Sequence, residues 1–79
     1  MVGCIAFLIF REMKLRAIVA RNVRQQRETQ SLSQEDLAHR ARMHTTYLSG
    51  IENGRRNPTL DVLERLAAAL GVEVATLVS

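Results

Sequence analysis

The sequence predicts an all-α fold, with five helices over residues 15–79 and a short apolar extension over residues 1–14. The prediction rests on two observations. Apolar residues recur three and four positions apart, which is the spacing of one helix face. Residues that favour helix starts and helix ends separate these runs. No internal repeat or linker divides the 79 residues, which therefore predict one small domain.

The first helix is predicted to run from Leu15 to about Thr29. Leu15, Ile18, Val19 and Val23 line one side of it, and mostly polar or charged residues occupy the remainder. This apolar side is expected to face the core.

The second helix is predicted to begin at Gln34. Ser33 precedes it as a favoured N-cap, and Asp36 at the third helical position can complete a capping box. Leu37 and Ala38 then supply an apolar face, on which the small side chain of Ala38 lets another helix cross closely.

The third helix is predicted to start after His44 and to end at Gly54. His44 occupies the N-cap position, and Leu48 and Ile51 are spaced for burial on one face. Gly54 favours the left-handed conformation that commonly ends a helix. Two short helices joined by a tight turn, with the second projecting, are typical of proteins that place side chains in a DNA major groove.

Two further helices are predicted after a loop. Thr59 is expected to cap the fourth, and Gly71 to end it. Val74 to Val78 is expected to form a final short helix, apolar enough for a dimer contact. The residues of the fourth helix expected to point inward are Leu60, Leu63, Leu66, Ala67 and Leu70.

Charge is distributed unevenly along the chain. The net charge is +3, but residues 11–57 carry ten basic and five acidic residues, whereas the remainder up to residue 79 carries one and three. This asymmetry suits one surface facing DNA and another facing a partner, although a solvated basic surface is an alternative. A domain of this size is often stabilised by dimerisation. The single cysteine, Cys4, provides neither a disulfide nor a zinc site and favours the cytoplasm.

These runs resemble the Cro/C1-type helix-turn-helix family, also called the XRE family, of bacterial and phage DNA-binding proteins. The resemblance covers residues 15–79 and rests on SQEDLA (33–38), YLSGIENG (47–54) and RNPTLDVLERLAAALGV (56–72). Within the family, TYLSGIENGRRNPT (46–59) looks most like the controller proteins of restriction-modification systems. The resemblance implies a lambda-repressor-like fold and a homodimeric transcriptional regulator that binds a partly palindromic operator in double-stranded DNA.

The resemblance also implies that the first turns of the third helix contact base edges. Thr45 and Thr46 stand where the family places base-contacting residues, and Ser49 follows one turn later. Thr46 can donate or accept a hydrogen bond, and its methyl group can touch a thymine methyl. Several repressors carry a base-contacting side chain at the position of Gly50. Glycine has no side chain that can contact a base, so few residues are expected to recognise the DNA sequence directly.

The loop after the third helix adds further candidates. Arg56 is the best candidate for a guanine O6/N7 or narrow minor-groove contact, with phosphate binding as the alternative, and Asn57 is grouped with it as a base contact. Tyr47 can either pack its ring beside the core or lay its hydroxyl on a phosphate. The residues expected to contact phosphates are Gln34, His44, Tyr47, Asn53 and Arg55.

Arg27 and Glu52 match a buried family pair that ties the first helix to the third, so their implied role is structural. Ser31 and Arg42 stand at turn positions where the family usually or often has glycine. If these two residues adopt the left-handed conformation, each is expected to strain its turn.

The apolar run from Val2 to Phe10 has three interpretations. Met13 can be the natural start, the segment can be a strand or helix packed on a partner subunit, or it can contact a membrane. The run is much shorter than the roughly 20 residues that span a bilayer. It also lacks the basic flank and cleavage site of a secretory signal. Packing on a dimer partner is the favoured interpretation.

Other functions remain as alternatives. An antitoxin or protein-interaction module would use the same fold to bind a protein partner. An enzyme is disfavoured, because Cys4, His39 and His44 form neither a catalytic set nor a metal site. We expect no cofactor, metal, small-molecule ligand or membrane partner.

Overall fold

The computed structural model describes residues 2–79, with side chains described from Lys14 onward. In this range the chain forms five helices and no strand: α1 (Val2–Thr29), α2 (Gln34–Arg40), α3 (Thr45–Glu52), α4 (Leu60–Leu70) and α5 (Val74–Val78). The predicted all-α fold with five helices is confirmed.

Helix α1 begins well before the predicted start at Leu15, because the apolar extension continues into it as helix from Val2. No glycine or proline stands between Cys4 and Thr29, so the sequence contains no residue that would break the helix there. Division of the chain at residues 14 and 15 stays a prediction. The expected packing of the extension on a partner concerns residues 1–13, whose side chains lie outside the described part.

All five helices contribute to one core. Helix α1 packs on α3 and α5, while α2 packs on α3 and α4. Within residues 2–79 no helix combines the length and hydropathy needed to cross a membrane. The buried apolar side chains in contact with one another are Val19, Val23, Leu37, Ala38, Ala41, Leu48, Ile51, Val62, Leu66, Ala67, Leu70 and Leu77.

Two residues predicted to face inward are exposed instead. Leu60 is 67% exposed and Leu15 is 46% exposed. Leu60 is the first residue of α4 and lies about 120° around the helix from the fully buried Leu66. Val62 lies one turn before Leu66 on the same side of the helix, so Val62 is buried in the core and Leu60 is not. Leu15 lies one turn before Val19, the first described α1 residue in the core cluster, and therefore extends beyond it.

Residues in the left-handed conformation close four of the helices. Gly54 and Gly71 have φ values of 71° and 70°, as predicted for helix-ending glycines. Ser31 and Arg42 adopt the same conformation at 56° and 58° without being glycine, which confirms that these turns use residues poorly suited to them. Arg42 lies in the turn that joins α2 to α3.

Candidate nucleic-acid interface

The start of α2 is fixed by a capping box. The Ser33 hydroxyl accepts a hydrogen bond from the backbone nitrogen of Asp36 at 3.0 Å, and the Asp36 carboxylate accepts one from the backbone nitrogen of Ser33 at 3.1 Å. Hydrogen bonding to the Asp36 carboxylate by Ser33, first by its backbone N–H and then by its side chain, lowers the pKa of Asp36 from its ordinary value. The predicted N-cap and capping box are confirmed. Gln34 is thereby fixed as the first residue of α2.

Helix α3 is anchored by one face and presents the other. Leu48 and Ile51 are 0% and 1% exposed, so they hold the helix against the core. His44 is its N-cap, as predicted, although its side chain makes no capping hydrogen bond. Thr46 is exposed, and Thr45 is partly exposed. The anchored face therefore leaves the first turn of α3 open for contacts with a large ligand.

Glu52 lies at the junction of α1, α2 and α3. Its side chain is fully buried, and its two carboxylate oxygens accept from Arg27 Nε at 2.8 Å and from Arg27 Nη2 at 3.0 Å. Hydrogen bonding to Glu52 is the main cause of the raised pKa of Arg27. Gln34 Nε2 donates to the same carboxylate at 3.2 Å. The buried carboxylate of Glu52, at the end of α3, is thus bonded both to the last turn of α1 and to the first residue of α2.

Arg24 supplies a second positive charge beside this junction. Its Nη2 lies 3.2 Å from both the Glu52 carbonyl oxygen and the Asn53 side-chain oxygen, and its Nε lies 3.6 Å from the Glu52 carboxylate. The guanidinium is therefore held at the C-terminal end of α3. Arg24 was missed by sequence reasoning, although it stands three residues before Arg27 and hence on the same side of α1.

Two of the side chains predicted to contact phosphates make hydrogen bonds within the protein. Gln34 donates one amide hydrogen to Glu52, while the Asn53 amide lies between Arg24 and the hydroxyl of Ser49, which accepts from it at 3.4 Å. Each side-chain NH2 group has two hydrogens, so each retains donor capacity for another acceptor. These contacts orient both amides near the ends of the helix-turn-helix.

The loop after α3 folds back on the helix. The backbone nitrogens of Arg55 and Arg56 donate to the Gly50 carbonyl at 2.8 Å and 3.1 Å. The guanidinium carbon of Arg56 then lies 5.8 Å from the centre of the Tyr47 ring, within cation–π range. Tyr47 is itself partly buried and packs against the core. This geometry brings Tyr47 and Arg56 together, a relationship that the sequence did not reveal.

The remaining candidates surround this surface. Arg55 and Asn57 are exposed in the loop after α3, and His44 is exposed before it. Ser49 is partly buried one turn after Thr45. Among the described residues no group of His, Cys, Asp and Glu side chains has the arrangement of a metal site. The surface is therefore made of hydroxyl, amide and guanidinium donors around a short helix, which are groups that contact phosphates and base edges.

Sequence comparisons identify proteins similar to this chain. A family model described as helix-turn-helix matches residues 23–77. An uncharacterized HTH-type transcriptional regulator, y4dJ of Sinorhizobium fredii, is 42% identical over 67 residues, which cover 85% of this chain and 87% of that protein. Control protein C.BamHI of Bacillus amyloliquefaciens is 45% identical over 60 residues, covering 75% of this chain and 74% of the relative.

Solved structures of two DNA-regulatory proteins are also similar to this chain. The hypothetical transcription factor NHTF from Neisseria matches with a TM-score of 0.80 and 42% identity, over 82% of this chain and 75% of that one. The restriction-modification controller protein C.AhdI from Aeromonas hydrophila matches with a TM-score of 0.77 and 34% identity, over 78% of this chain and 94% of the neighbour.

Proposed function

This chain belongs to the helix-turn-helix family, and on that premise we propose that it is a sequence-specific DNA-binding transcriptional regulator that binds its operator as a homodimer. The observation that carries the proposal is the position of α3. Leu48 and Ile51 anchor one face in the core, while Thr46 is exposed at its first turn. A rigidly held helix with an open first turn is suited to a DNA major groove.

Base contacts are assigned to the exposed side of α3 and to the loop that follows it. Hydroxyl groups of threonine and serine can pair with several base edges, and an arginine can pair with both acceptors of guanine. Because few side chains are available to contact base edges, much of the selectivity for the operator sequence is expected to come from the shape and deformability of the DNA. The proposed base-contacting residues are Thr45, Thr46, Ser49, Arg56 and Asn57.

Phosphate contacts are assigned to donors around the edge of the same surface. Gln34 and Asn53 are supported by their fixed amides, since an amide held on one side by protein can donate to a phosphate on the other. The backbone N–H groups at the start of α2 point out of its N-terminal end, which is the positive end of the helix dipole. The proposed phosphate-contacting residues are Gln34, His44, Tyr47, Asn53 and Arg55.

A homodimer would place two copies of α3 about 34 Å apart, in successive major grooves of a partly palindromic operator. The last helix is a proposed part of the dimer contact, with one restriction from the fold. Leu77 is 0% exposed within its own chain, so Val74 and Val78, which are only partly buried, would make the contact. Similarity to C.BamHI and C.AhdI supports a controller protein of a restriction-modification system. We further propose that it acts in the cytoplasm and without a small-molecule ligand.

A binding selection tests the proposal. Random duplexes about 30 bp long are selected at about 0.15 M salt, where non-specific electrostatic binding is already weakened. We expect enrichment of a two-fold-symmetric site. Folded protein that enriches no sequence would contradict the proposal and favour binding to a protein partner.

A pair of threonine variants then tests the role of α3. Thr46→Ala is expected to weaken binding to the enriched site while leaving non-specific binding unchanged, because the lost group contacts a base. Thr29→Ala, at the exposed end of α1, is the matched control and should bind like the unmodified protein. Equal losses on specific and non-specific DNA for Thr46→Ala would argue against base contact.

A further inference from the structure

We propose that Gly50 is a positioning residue for Arg56: its missing side chain forms a seat on α3 in which the arginine stem lies, so that the guanidinium reads one base pair of the operator. The inference deepens the proposed DNA-binding function and rests on it for the reading step. The seat itself is a property of the fold and can be tested without DNA.

The backbone contacts bring Arg56 to this position. The Gly50 carbonyl accepts hydrogen bonds from the backbone nitrogens of both Arg55 and Arg56. The Arg56 backbone is therefore fixed beside the third-last residue of α3. Its side chain consequently starts at the helix surface instead of extending from a distant loop.

The side chain of Arg56 fills the space that a larger residue at position 50 would occupy. A Cβ atom at Gly50 would lie 2.6 Å from Arg56 Cγ, 3.6 Å from its Cβ and 3.7 Å from its Cδ. The first distance is far shorter than a carbon–carbon contact permits. Cγ is only the second carbon of the Arg56 side chain, and the Arg56 backbone is held by a hydrogen bond. The side chain would therefore have to leave the seat to avoid the clash.

Backbone conformation does not explain a glycine here. The glycines with positive φ among the described residues are Gly54 and Gly71, and Gly50 lies within α3. Glycine inside a helix is less favourable than alanine. Close packing of Arg56 therefore accounts for a residue that helix stability alone would disfavour.

The seat also determines where the positive charge lies. Tyr47 precedes Gly50 by three residues and so lies on the same side of α3, where its ring faces the Arg56 guanidinium at 5.8 Å. A planar guanidinium held at a fixed position on the reading helix can donate two hydrogen bonds to the O6 and N7 atoms of one guanine.

A double-mutant cycle tests the proposal. Gly50→Ala, Arg56→Ala and the double variant are titrated with the enriched operator and with operators changed at one base pair each. Loss of a bidentate base contact is expected to weaken binding roughly 5- to 150-fold in Arg56→Ala. Gly50→Ala should give a similar loss and the same relaxed base-pair preference, and the double variant should bind no more weakly than Arg56→Ala.

Arg56→Lys separates reading from charge. Lysine keeps a stem and a positive charge but lacks the planar pair of donors. We expect Arg56→Lys to retain the salt dependence of binding while losing the preference at one base pair. Uniform weakening on every operator by Arg56→Ala, with no change in base preference, would overturn the reading step.

Melting temperatures test the seat independently of DNA. In the Arg56→Ala background, Gly50→Ala should raise the melting temperature, because alanine is the better helix former and no stem opposes it. In the unmodified background the clash should reduce or reverse this gain. Equal gains in both backgrounds, or operator losses that multiply in the double variant, would overturn the positioning role. A protein that selects no operator would instead contradict the proposed function and leave the melting comparison to decide the seat.

Discussion

Arg27 donates to both carboxylate oxygens of Glu52, across 25 residues of sequence, and the Glu52 side chain is fully buried. The same arginine also donates from Nη1 to the carbonyl oxygen of Leu32 at 2.8 Å. One guanidinium thus joins the end of α1 both to α3 and to the turn that leads into α2. Because a buried carboxylate is costly unless paired, the pair makes the position of α3 depend on α1.

Removing the charge from Glu52 is therefore expected to destabilise the fold. Glu52→Gln leaves the Arg27 guanidinium without its counter-charge, and loss of one partner of such a pair costs about 3 kcal/mol or more. Urea denaturation would measure the loss. Glu28→Gln is the matched control, since Glu28 lies 3.9 Å from the same arginine but is 63% exposed, and exposed pairs contribute at most about 1 kcal/mol. Equal midpoints for Glu52→Gln and the unmodified protein would contradict the structural role.

The sequence predicted the elements of this site better than their mutual contacts. Caps and helix ends, such as Ser33 and Gly54, depend on neighbours a few residues away, so local patterns suffice to predict them. The contact of Gln34 with Glu52 spans 18 residues and depends on how α2 crosses α3. The seat of Arg56 depends on a loop conformation that no periodic pattern specifies. Gly50 was thus recognised only as a residue that cannot read DNA.

The same distinction explains the error at Leu60. Counting apolar residues places Leu60 on the inward side of α4, but the direction of its side chain depends on where the packed face of the helix begins. Val62, Leu66 and Leu70 lie along one ridge and are all buried, whereas Leu60 is 67% exposed. The apolar pattern alone was compatible with both choices.

Truncation of two leucines in α4 would measure this difference. Leu66 is 0% exposed, so Leu66→Ala is expected to lower the free energy of unfolding by about 2–5 kcal/mol through lost burial and a residual cavity. Leu60→Ala removes the same atoms from an exposed position and should cost less than about 1 kcal/mol. Both values come from urea denaturation. Similar losses for the two variants would show that Leu60 is buried in solution.

Glycine at the two left-handed turns is expected to stabilise the protein. Ser31 and Arg42 have φ values of 56° and 58°, and a residue with a Cβ atom pays about 1 kcal/mol in this conformation. Ser31→Gly and Arg42→Gly should each recover a part of that cost, which thermal melting would detect as a higher midpoint. Arg40→Gly is the matched control, because Arg40 is the last residue of α2 and not one of the residues with positive φ, so glycine there relieves no strain and should not raise the midpoint. A lower midpoint for Arg42→Gly would mean that its side chain stabilises the turn by more than the strain costs.

The capping box at the start of α2 is expected to make stability depend on acid. Hydrogen bonds from Ser33 lower the pKa of Asp36 in the folded protein relative to its ordinary value, so the unfolded chain binds the proton more readily. The stabilisation from Asp36 is therefore complete above the usual carboxyl range, near pH 4, and is lost as the pH falls through the lowered pKa. Urea midpoints measured from about pH 6 down to about pH 2 should decline less steeply in Asp36→Asn than in the unmodified protein.

Glu35→Gln provides the control for the Asp36 prediction, because it removes a negative charge one residue earlier in the first turn of α2 and leaves the capping box intact. Both variants change the net charge equally and remove a carboxylate from the first turn of α2, near the positive end of the helix dipole. Hydrogen bonds from Ser33 are the largest causes of the lowered pKa of Asp36, so a difference between the two acid profiles is expected to come mainly from the capping box. Identical profiles for the two variants would show that charge near the helix start, and not the capping box, sets the acid dependence.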